Sequence, residues 1–173
     1  MELYRSPYEA YPFLCDETSD LRCDFELLTD EMASRTGLLR AQVKDESLQD
    51  ELLWICELIY HINPTLRTHL TVTEEEKERL LAAVNRLQEE CHDRCKLFVL
   101  TQGCEAACTA HLLRVQGKSL VRLVYRYIQQ GHTVEPRLLD LTNLLSGYFF
   151  SLALKLNQLE NVDEIPYKSR NYK

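Results

Sequence analysis

The chain contains few residues that interrupt a helix, with only five glycines and five prolines among its 173 residues. Apolar side chains recur along it at intervals of three and four residues, which is the period of one helical face, and no alternating strand pattern stands out. Both observations favour helices over strands. The sequence therefore predicts an all-α protein in which short connections join the helices into an up-and-down five-helix bundle.

Capping residues, glycine and proline mark the ends of the predicted helices. Ser47 is expected to cap the second helix, and Thr73 with Glu76 forms a capping box that opens the third. Residues 96–103 are too few for a helix and are expected to form an extended linker. Gly117 is a weak point inside the fourth helix, where it costs about 1 kcal/mol relative to alanine. The predicted helices cover about 21–43, 47–63, 73–95, 104–131 and 135–159.

The chain divides into three predicted segments, and its charge and hydropathy limit the classes of partner that it can bind. We predict an irregular N-terminal segment at 1–19, the bundle at 20–159 and a polar tail at 160–173. The formal charge of −7 argues against general nucleic-acid binding, which needs a basic surface. No apolar run approaches the roughly 20 residues that span a membrane, and no secretory signal is visible. We expect a soluble cytoplasmic protein that binds neither nucleic acid nor membrane.

Seven cysteines are many for this length, and in a cytosolic chain they indicate thiols or metal ligands rather than disulfides. Cys91 and Cys95 are four residues apart on the predicted third helix, and Cys104, Cys108 and His111 share a face of the fourth. If these faces meet, a thiolate-rich zinc or iron site could form. Buried cysteine also behaves as a small apolar residue, and this spacing is not that of a zinc finger, so we predict no metal site.

One continuous stretch carries a resemblance to a known family. Residues 98–122 read F-V-L-T-Q-G-C-E-A-A-C-T-A-H-L-L-R-V-Q-G-K-S-L-V-R. This stretch resembles the ATP:cob(I)alamin adenosyltransferases of the propanediol-utilisation type, which carry F-I-L-P-x-G-G, then A-x-x-H-x-x-R, then R-R-x-E-R. The residues that fall in register without a gap are Phe98, Gly103, His111, Arg114 and Arg122.

Further blocks agree with this family in order and spacing. Residues 141–150, L-T-N-L-L-S-G-Y-F-F, resemble its L-N-R-L-S-D-x-L-F, with matches at Asn143, Leu145, Ser146 and Phe150. Residues 28–32, followed by a downstream G-L at 37–38, resemble its T-I-D-E-L with a similar G-L. Residues 20–22, D-L-R, are similar to the ethanolamine-utilisation branch of the same superfamily. Together the blocks span about 20–155.

The resemblance implies a homotrimer that transfers adenosyl from ATP, with Mg²⁺, to cob(I)alamin at sites between subunits. It implies that Phe98 covers the lower face of the corrin, displaces the lower axial ligand of cobalt and so eases reduction to the Co(I) nucleophile. It further implies that Asp30 of one subunit pairs with Lys118 of the next, and that Asn143 bonds the nucleotide. A corrinoid-dependent enzyme would receive the product.

Arg114, Lys118 and Arg122 are spaced four residues apart, which places three cations on one face of the fourth helix. Without acidic residues at the same spacing they repel one another by roughly a few tenths of a kcal/mol per pair, and a polyphosphate such as ATP would relieve that repulsion. The alternative is a solvated basic stripe. In the same way, the alternative for Phe98 is an ordinary core residue in an apolar linker.

The chain departs from the family pattern at several positions. Residues 4–17 do not resemble the Gly-rich nucleotide-binding segment of the propanediol-type enzymes. Lysine replaces arginine at 118, and four further positions differ from the catalytic blocks: Ser119, Val121, Leu144 and Gly147. These departures favour an alternative function, a catalytically silent bundle that binds or hands over corrinoid or acts as an assembly partner. The cysteines favour a third, a metal- or redox-sensing bundle.

Overall fold

A computed structural model describes residues 3–96 and 98–171. These residues form five α-helices: α1 (Leu21–Gln42), α2 (Glu46–Ile62), α3 (Glu74–Glu90), α4 (Glu105–Gln129) and α5 (Pro136–Leu159). The predicted all-α five-helix bundle is confirmed. The one β-type pairing within the described ranges is an isolated antiparallel bridge between Val99 and Pro166. None of these five helices is both long enough and apolar enough to cross a membrane.

Side-chain caps fix where α2 and α3 begin. The predicted capping box of α3 is present: Thr73 Oγ1 accepts from the N–H of Glu76 at 3.2 Å, and Glu76 Oε2 accepts from the N–H of Thr73 at 2.8 Å. The predicted cap of α2 is wrong, because Asp45 rather than Ser47 is the N-cap and accepts from the N–H of Leu48 at 2.9 Å. A carboxylate at this end of a helix also interacts favourably with the helix dipole.

The third helix is shorter than predicted. It ends at Glu90, and residues 91–96 form turns. Its last helical turn carries no basic residue, although the negative end of the helix dipole favours cations there. Cys91 is the C-cap, so Cys91 and Cys95 do not lie on one helix as predicted, although the N–H of Cys95 still donates to the carbonyl of Cys91 at 3.2 Å.

The two longest helices, α4 and α5, pack against each other in the middle of the bundle, with α1 on α4, α2 on α1 and α3 on α5. Gly117, the predicted weak point, lies where α4 meets α5. A Cβ there would lie 3.0 Å from the Cβ of Ser146 and 3.1 Å from its Cα. The hydroxyl of Ser146 donates to the carbonyl of Arg114 at 3.0 Å across the same contact. The close approach of the two helices therefore explains the glycine.

Candidate functional site

A cavity of about 490 Å³ lies between α4, α5 and the segment that precedes α4. Three of the predicted site residues, Phe98, Arg114 and Lys118, line it. The remaining lining residues are Cys95, Lys96, Val99, Thr101, Ser146, Gly147 and Phe150. The fold thus brings the sequence blocks 98–122 and 141–150 to one place, although they are separate along the chain.

Phe98 has 85% of its surface exposed, so the alternative that it is an ordinary core residue is wrong. A large apolar side chain beside a cavity is typical of a binding surface. Backbone hydrogen bonds to the C-terminal tail hold its segment in place: the carbonyl of Phe98 accepts from the N–H of Tyr167 at 2.7 Å, and the N–H of Leu100 donates to the carbonyl of Ile165 at 2.8 Å. The tail therefore orders the segment that presents Phe98.

Asn157 joins the same segment to α5. Its fully buried side chain accepts from the N–H of Cys104 at 3.0 Å through Oδ1, and donates to the carbonyl of Gln102 at 3.1 Å through Nδ2. Cys104 is the N-cap of α4 and makes no side-chain cap bond, so Asn157 satisfies this otherwise unpaired end of the helix. Gly103 has a φ of +141°, and a Cβ there would lie 1.9 Å from Asn157 Oδ1. Only glycine fits this position.

The three cations predicted on one face of α4 differ in their surroundings. Arg114 is half-buried, its Nε has no hydrogen-bond partner among the described residues, and its guanidinium lies 6.0 Å from the ring centre of Phe150. Lys118 and Arg122 are exposed, and neither takes part in an ion pair within the described part of the chain. This face of α4 therefore carries unneutralised positive charge that an anionic ligand would stabilise.

Asp30, Asn143 and Arg122 do not line the cavity. Asp30 Oδ1 accepts from the hydroxyl of Tyr60 at 2.8 Å, and its pairing with Lys118 of a neighbouring subunit remains a prediction. Asn143 Nδ2 donates to a carbonyl one turn earlier in α5 at 2.8 Å. Arg122 lies one helical turn, about 6 Å, beyond Lys118 along α4. The structure thus separates the residues at the cavity from Arg122 and Asn143, which lie one turn further along α4 and α5, and from Asp30, which lies on α1.

His111 is buried, with 4% of its surface exposed, and neither ring nitrogen has a hydrogen-bond partner among the described residues. It lines a second cavity of about 230 Å³ and lies 6.4 Å, between ring centres, from Phe150. Burial disfavours its charged form and Arg114 repels it, which together lower the pKa of His111 to about 4. The imidazole is therefore neutral at pH 7 and offers one donor and one acceptor.

The cysteines do not assemble a metal centre in the described ranges 3–96 and 98–171. No group of three or more His, Cys, Asp or Glu side chains there is placed to hold a metal ion. Cys91 is buried, and burial raises the pKa of its thiol to about 11. Cys108 donates to the carbonyl of Gly103 at 3.7 Å, while Cys95 lines the larger cavity. The geometry therefore gives no support to the metal-binding alternative.

Seven lining residues are not among the predicted site residues: Cys95, Lys96, Val99, Thr101, Ser146, Gly147 and Phe150. Ser146 and Phe150 match the second sequence block, and their spacing from Asn143 places all three on one face of α5. That block therefore carried a signal for them. The sequence carries no comparable signal for Thr101, because its position depends on the path of an irregular segment.

The family model for cobalamin adenosyltransferase matches residues 19–156 of the chain. Among solved structures, three variants of a PduO-type ATP:corrinoid adenosyltransferase from Lactobacillus reuteri share the fold. A phenylalanine-to-alanine variant complexed with cobalamin and ATP has a TM-score of 0.76 and 21% identity over 87% of each chain. An arginine-to-lysine variant complexed with ATP has a TM-score of 0.75 and 22% identity over 86% of this chain and 88% of that one. A phenylalanine-to-histidine variant complexed with cobalamin and ATP has a TM-score of 0.79 and 20% identity over 95% of this chain and 98% of that one. A search of curated proteins gave no match.

Proposed function

The chain belongs to the cobalamin adenosyltransferase family, and on that premise we propose that it transfers the 5′-deoxyadenosyl group of ATP to the cobalt of reduced cobalamin. The observation that carries the proposal is the cavity lined together by Phe98, Arg114 and Lys118. An exposed aromatic ring suits a broad apolar macrocycle, and unneutralised cations suit a polyphosphate. The cavity offers both within one site.

In the proposed reaction, cob(I)alamin supplies the electron pair that forms a cobalt–carbon bond to the 5′ carbon of ATP. The bond from that carbon to oxygen breaks, and triphosphate leaves with the electron pair. A one-electron reductant must first convert cob(II)alamin to cob(I)alamin. Phe98 would cover the lower face of the corrin and keep a further ligand from the cobalt, which eases that reduction. The chain otherwise holds the two substrates in line and stabilises the departing charge.

Lys118 and Arg122 are the residues we propose to receive the triphosphate. Lys118 lines the cavity and Arg122 lies one turn beyond it, so the leaving group would extend along α4 away from the corrin. Lysine at 118 supplies a point charge without the bidentate fork of arginine. We propose that Asn143 bonds the nucleotide of MgATP and that Asp30 of a neighbouring subunit pairs with Lys118 in a homotrimer. A corrinoid-dependent enzyme would take the adenosylcobalamin.

Anaerobic incubation with MgATP, cob(II)alamin and a reductant tests the proposal, with adenosylcobalamin detected by its absorbance spectrum and by its loss on exposure to light. We expect product with the wild-type protein. Phe98→Ala should fold normally, because the side chain is exposed, and should lose most of the turnover while ATP still binds. Leu100→Ala is the matched control, since Leu100 is exposed on the same segment but does not line the cavity.

Separate titrations with ATP and cobalamin test the division of roles. Arg122→Ala should weaken ATP binding by about tenfold or more, because a charge-assisted contact to phosphate is lost. Lys44→Ala removes the same charge from the α1–α2 loop and should leave ATP binding unchanged. Cobalamin binding without ATP binding or product would refute the transferase and favour the silent corrinoid-binding bundle. A protein that binds neither ligand would exclude both functions.

A further inference from the structure

The second cavity adjoins the larger one, because Thr101 and Arg114 line both. Its other lining residues are Cys108, His111, Leu112 and Val115. At about 230 Å³ it is too small for a macrocycle, but it has room for a short side arm of a molecule that occupies the larger cavity. Leu112 and Val115 supply apolar side chains to its wall, and the largest polar groups are the imidazole of His111 and the guanidinium of Arg114.

Two side chains in this wall, His111 and Arg114, have buried polar atoms that lack partners among the described residues. Both ring nitrogens of His111 and the Nε of Arg114 are buried without a hydrogen bond. A buried polar group left unpaired is costly, and native proteins rarely keep several together without a use for them. Three such atoms beside one cavity therefore indicate a ligand group that pairs with them.

The chemistry of the wall defines that group. No carboxylate lines the cavity, and Arg114 is the charged residue that faces His111, while the neighbouring element α5 contributes the uncharged ring of Phe150. The neutral imidazole has one donor and one acceptor, and Arg114 Nε adds a donor. A primary carboxamide presents the complementary set, an N–H₂ donor and a carbonyl acceptor. Corrinoids carry such carboxamides on short arms around the ring.

We propose that His111, assisted by Arg114 Nε, binds a carboxamide arm of the corrinoid whose ring lies in the larger cavity. The inference rests on the proposed function and adds to it the way in which the site recognises the rim of its substrate. His111 is then a binding residue for the corrinoid, and ATP affinity does not depend on it. An arm held in this cavity would fix the rotation of the ring about its axis and so the position of the cobalt relative to Phe98.

The test compares the wild-type protein with His111→Gln, which keeps a donor and an acceptor, and His111→Leu, which keeps only the volume. Two ligands are titrated anaerobically in one water–ethanol buffer with ATP present: cob(II)alamin, and a cobyrinate in which every carboxamide is a methyl ester. We expect His111→Leu to bind cob(II)alamin about tenfold more weakly, the loss that one hydrogen bond represents, and His111→Gln to stay within about threefold of wild type. The ester keeps a carbonyl acceptor but has no N–H₂ donor, so its affinity should fall by less than that of cob(II)alamin from wild type to His111→Leu.

Thermal unfolding without ligand provides a readout independent of binding. We expect His111→Leu to have a higher Tm than wild type, because an unpaired buried polar group is replaced by an apolar one. Equal cob(II)alamin affinities for wild type and His111→Leu would overturn the inference while leaving the proposed function intact. An equal loss of affinity for both corrinoids in His111→Leu would also overturn it, since the N–H₂ group of a carboxamide would then have no part in the binding. Failure of the wild-type protein to bind either corrinoid would overturn the proposed function and the inference together.

Discussion

Replacing His111 with glutamine should remove a pH-dependent part of the stability of the ligand-free protein. The side chain is 4% exposed, and burial together with repulsion from Arg114 lowers its pKa from 6.5 to about 4. The unfolded chain therefore takes up a proton below about pH 6.5, whereas the folded protein keeps the imidazole neutral until about pH 4. The free energy of unfolding should accordingly be highest above pH 6.5 and should fall as the pH is lowered towards 4.

The size of the effect follows from the two pKa values. A tenfold change in proton affinity corresponds to about 1.4 kcal/mol. The contribution of His111 to the free energy of unfolding therefore differs by about 3 kcal/mol between pH 7.5 and pH values below 4. About 2 kcal/mol of this is lost between pH 7.5 and pH 5. Asp20 behaves differently, because the hydrogen bond from Arg22 lowers its pKa to about 2. The stability that the ionised Asp20 carboxylate contributes is lost only below about pH 4, outside the pH range of the experiment.

Urea unfolding followed by circular dichroism at pH 7.5, 6.0 and 5.0 measures this dependence. Between pH 7.5 and pH 5.0 the free energy of unfolding of the wild-type protein should fall by about 2 kcal/mol more than that of His111→Gln. His69→Gln is the control, since it makes the same substitution at an exposed histidine. Parallel profiles for wild type and His111→Gln would show that folding does not suppress protonation of His111, and the reasoning about the second cavity would lose its electrostatic basis.

Three further substitutions test the packing that supports the site. Gly117→Ala should destabilise the protein by about 1–3 kcal/mol in urea unfolding, since the new methyl group would press on Ser146. The cost of this overpacking exceeds the gain in helix propensity. A stabilised variant would contradict the close helix contact. Asn157→Ala should cost about 3 kcal/mol and increase hydrogen exchange at Cys104 and in the segment before it, because buried backbone groups lose their partner. Unchanged exchange there would show that Asn157 does not hold the segment. Thr73→Ala should cost about 1 kcal/mol through loss of the capping box, and an unaltered melting temperature would contradict that role.

The helices could be predicted from the sequence, because apolar periodicity and helix capping both depend on residues that are close together along the chain. The capping box at Thr73 and Glu76 is an example, since both partners lie within one turn. The start of α2 was misassigned because two residues that can serve as caps, Asp45 and Ser47, stand two positions apart, and a pattern does not choose between them. The end of α3 at Glu90 could not be predicted from neighbouring residues. The segment beyond it contacts the tail, where the guanidinium of Arg94 donates to the carbonyl of Val162 at 2.7 Å, a contact remote in sequence.

The same distinction applies to the candidate site. Arg114 and Lys118 could be placed on one face from their spacing alone, and the cavity is consistent with that. The exposure of Phe98 could not be predicted, because the composition of its segment is that of a core strand or linker. Its position results from hydrogen bonds to Tyr167 and from the anchor at Asn157, which are more than 50 residues away. The second cavity likewise depends on side chains that spacing does not bring together.

The positions that depart from the family pattern are unevenly distributed around the site. Of Ser119, Val121, Leu144 and Gly147, only Gly147 lines the larger cavity. Packing does not require glycine there, since the nearest atom to a Cβ would be Val84 Cγ1 at 3.9 Å. Ser119 and Val121 lie within one turn of Arg122 on α4, and Leu144 is next to Asn143 on α5, so all three neighbour residues proposed to bind ATP. The departures therefore fall mainly on the nucleotide side, and the cavity proposed for the corrinoid keeps its aromatic and polar wall. Affinity for ATP, rather than for cobalamin, is for this reason the measurement that most directly separates an active transferase from a silent corrinoid-binding bundle.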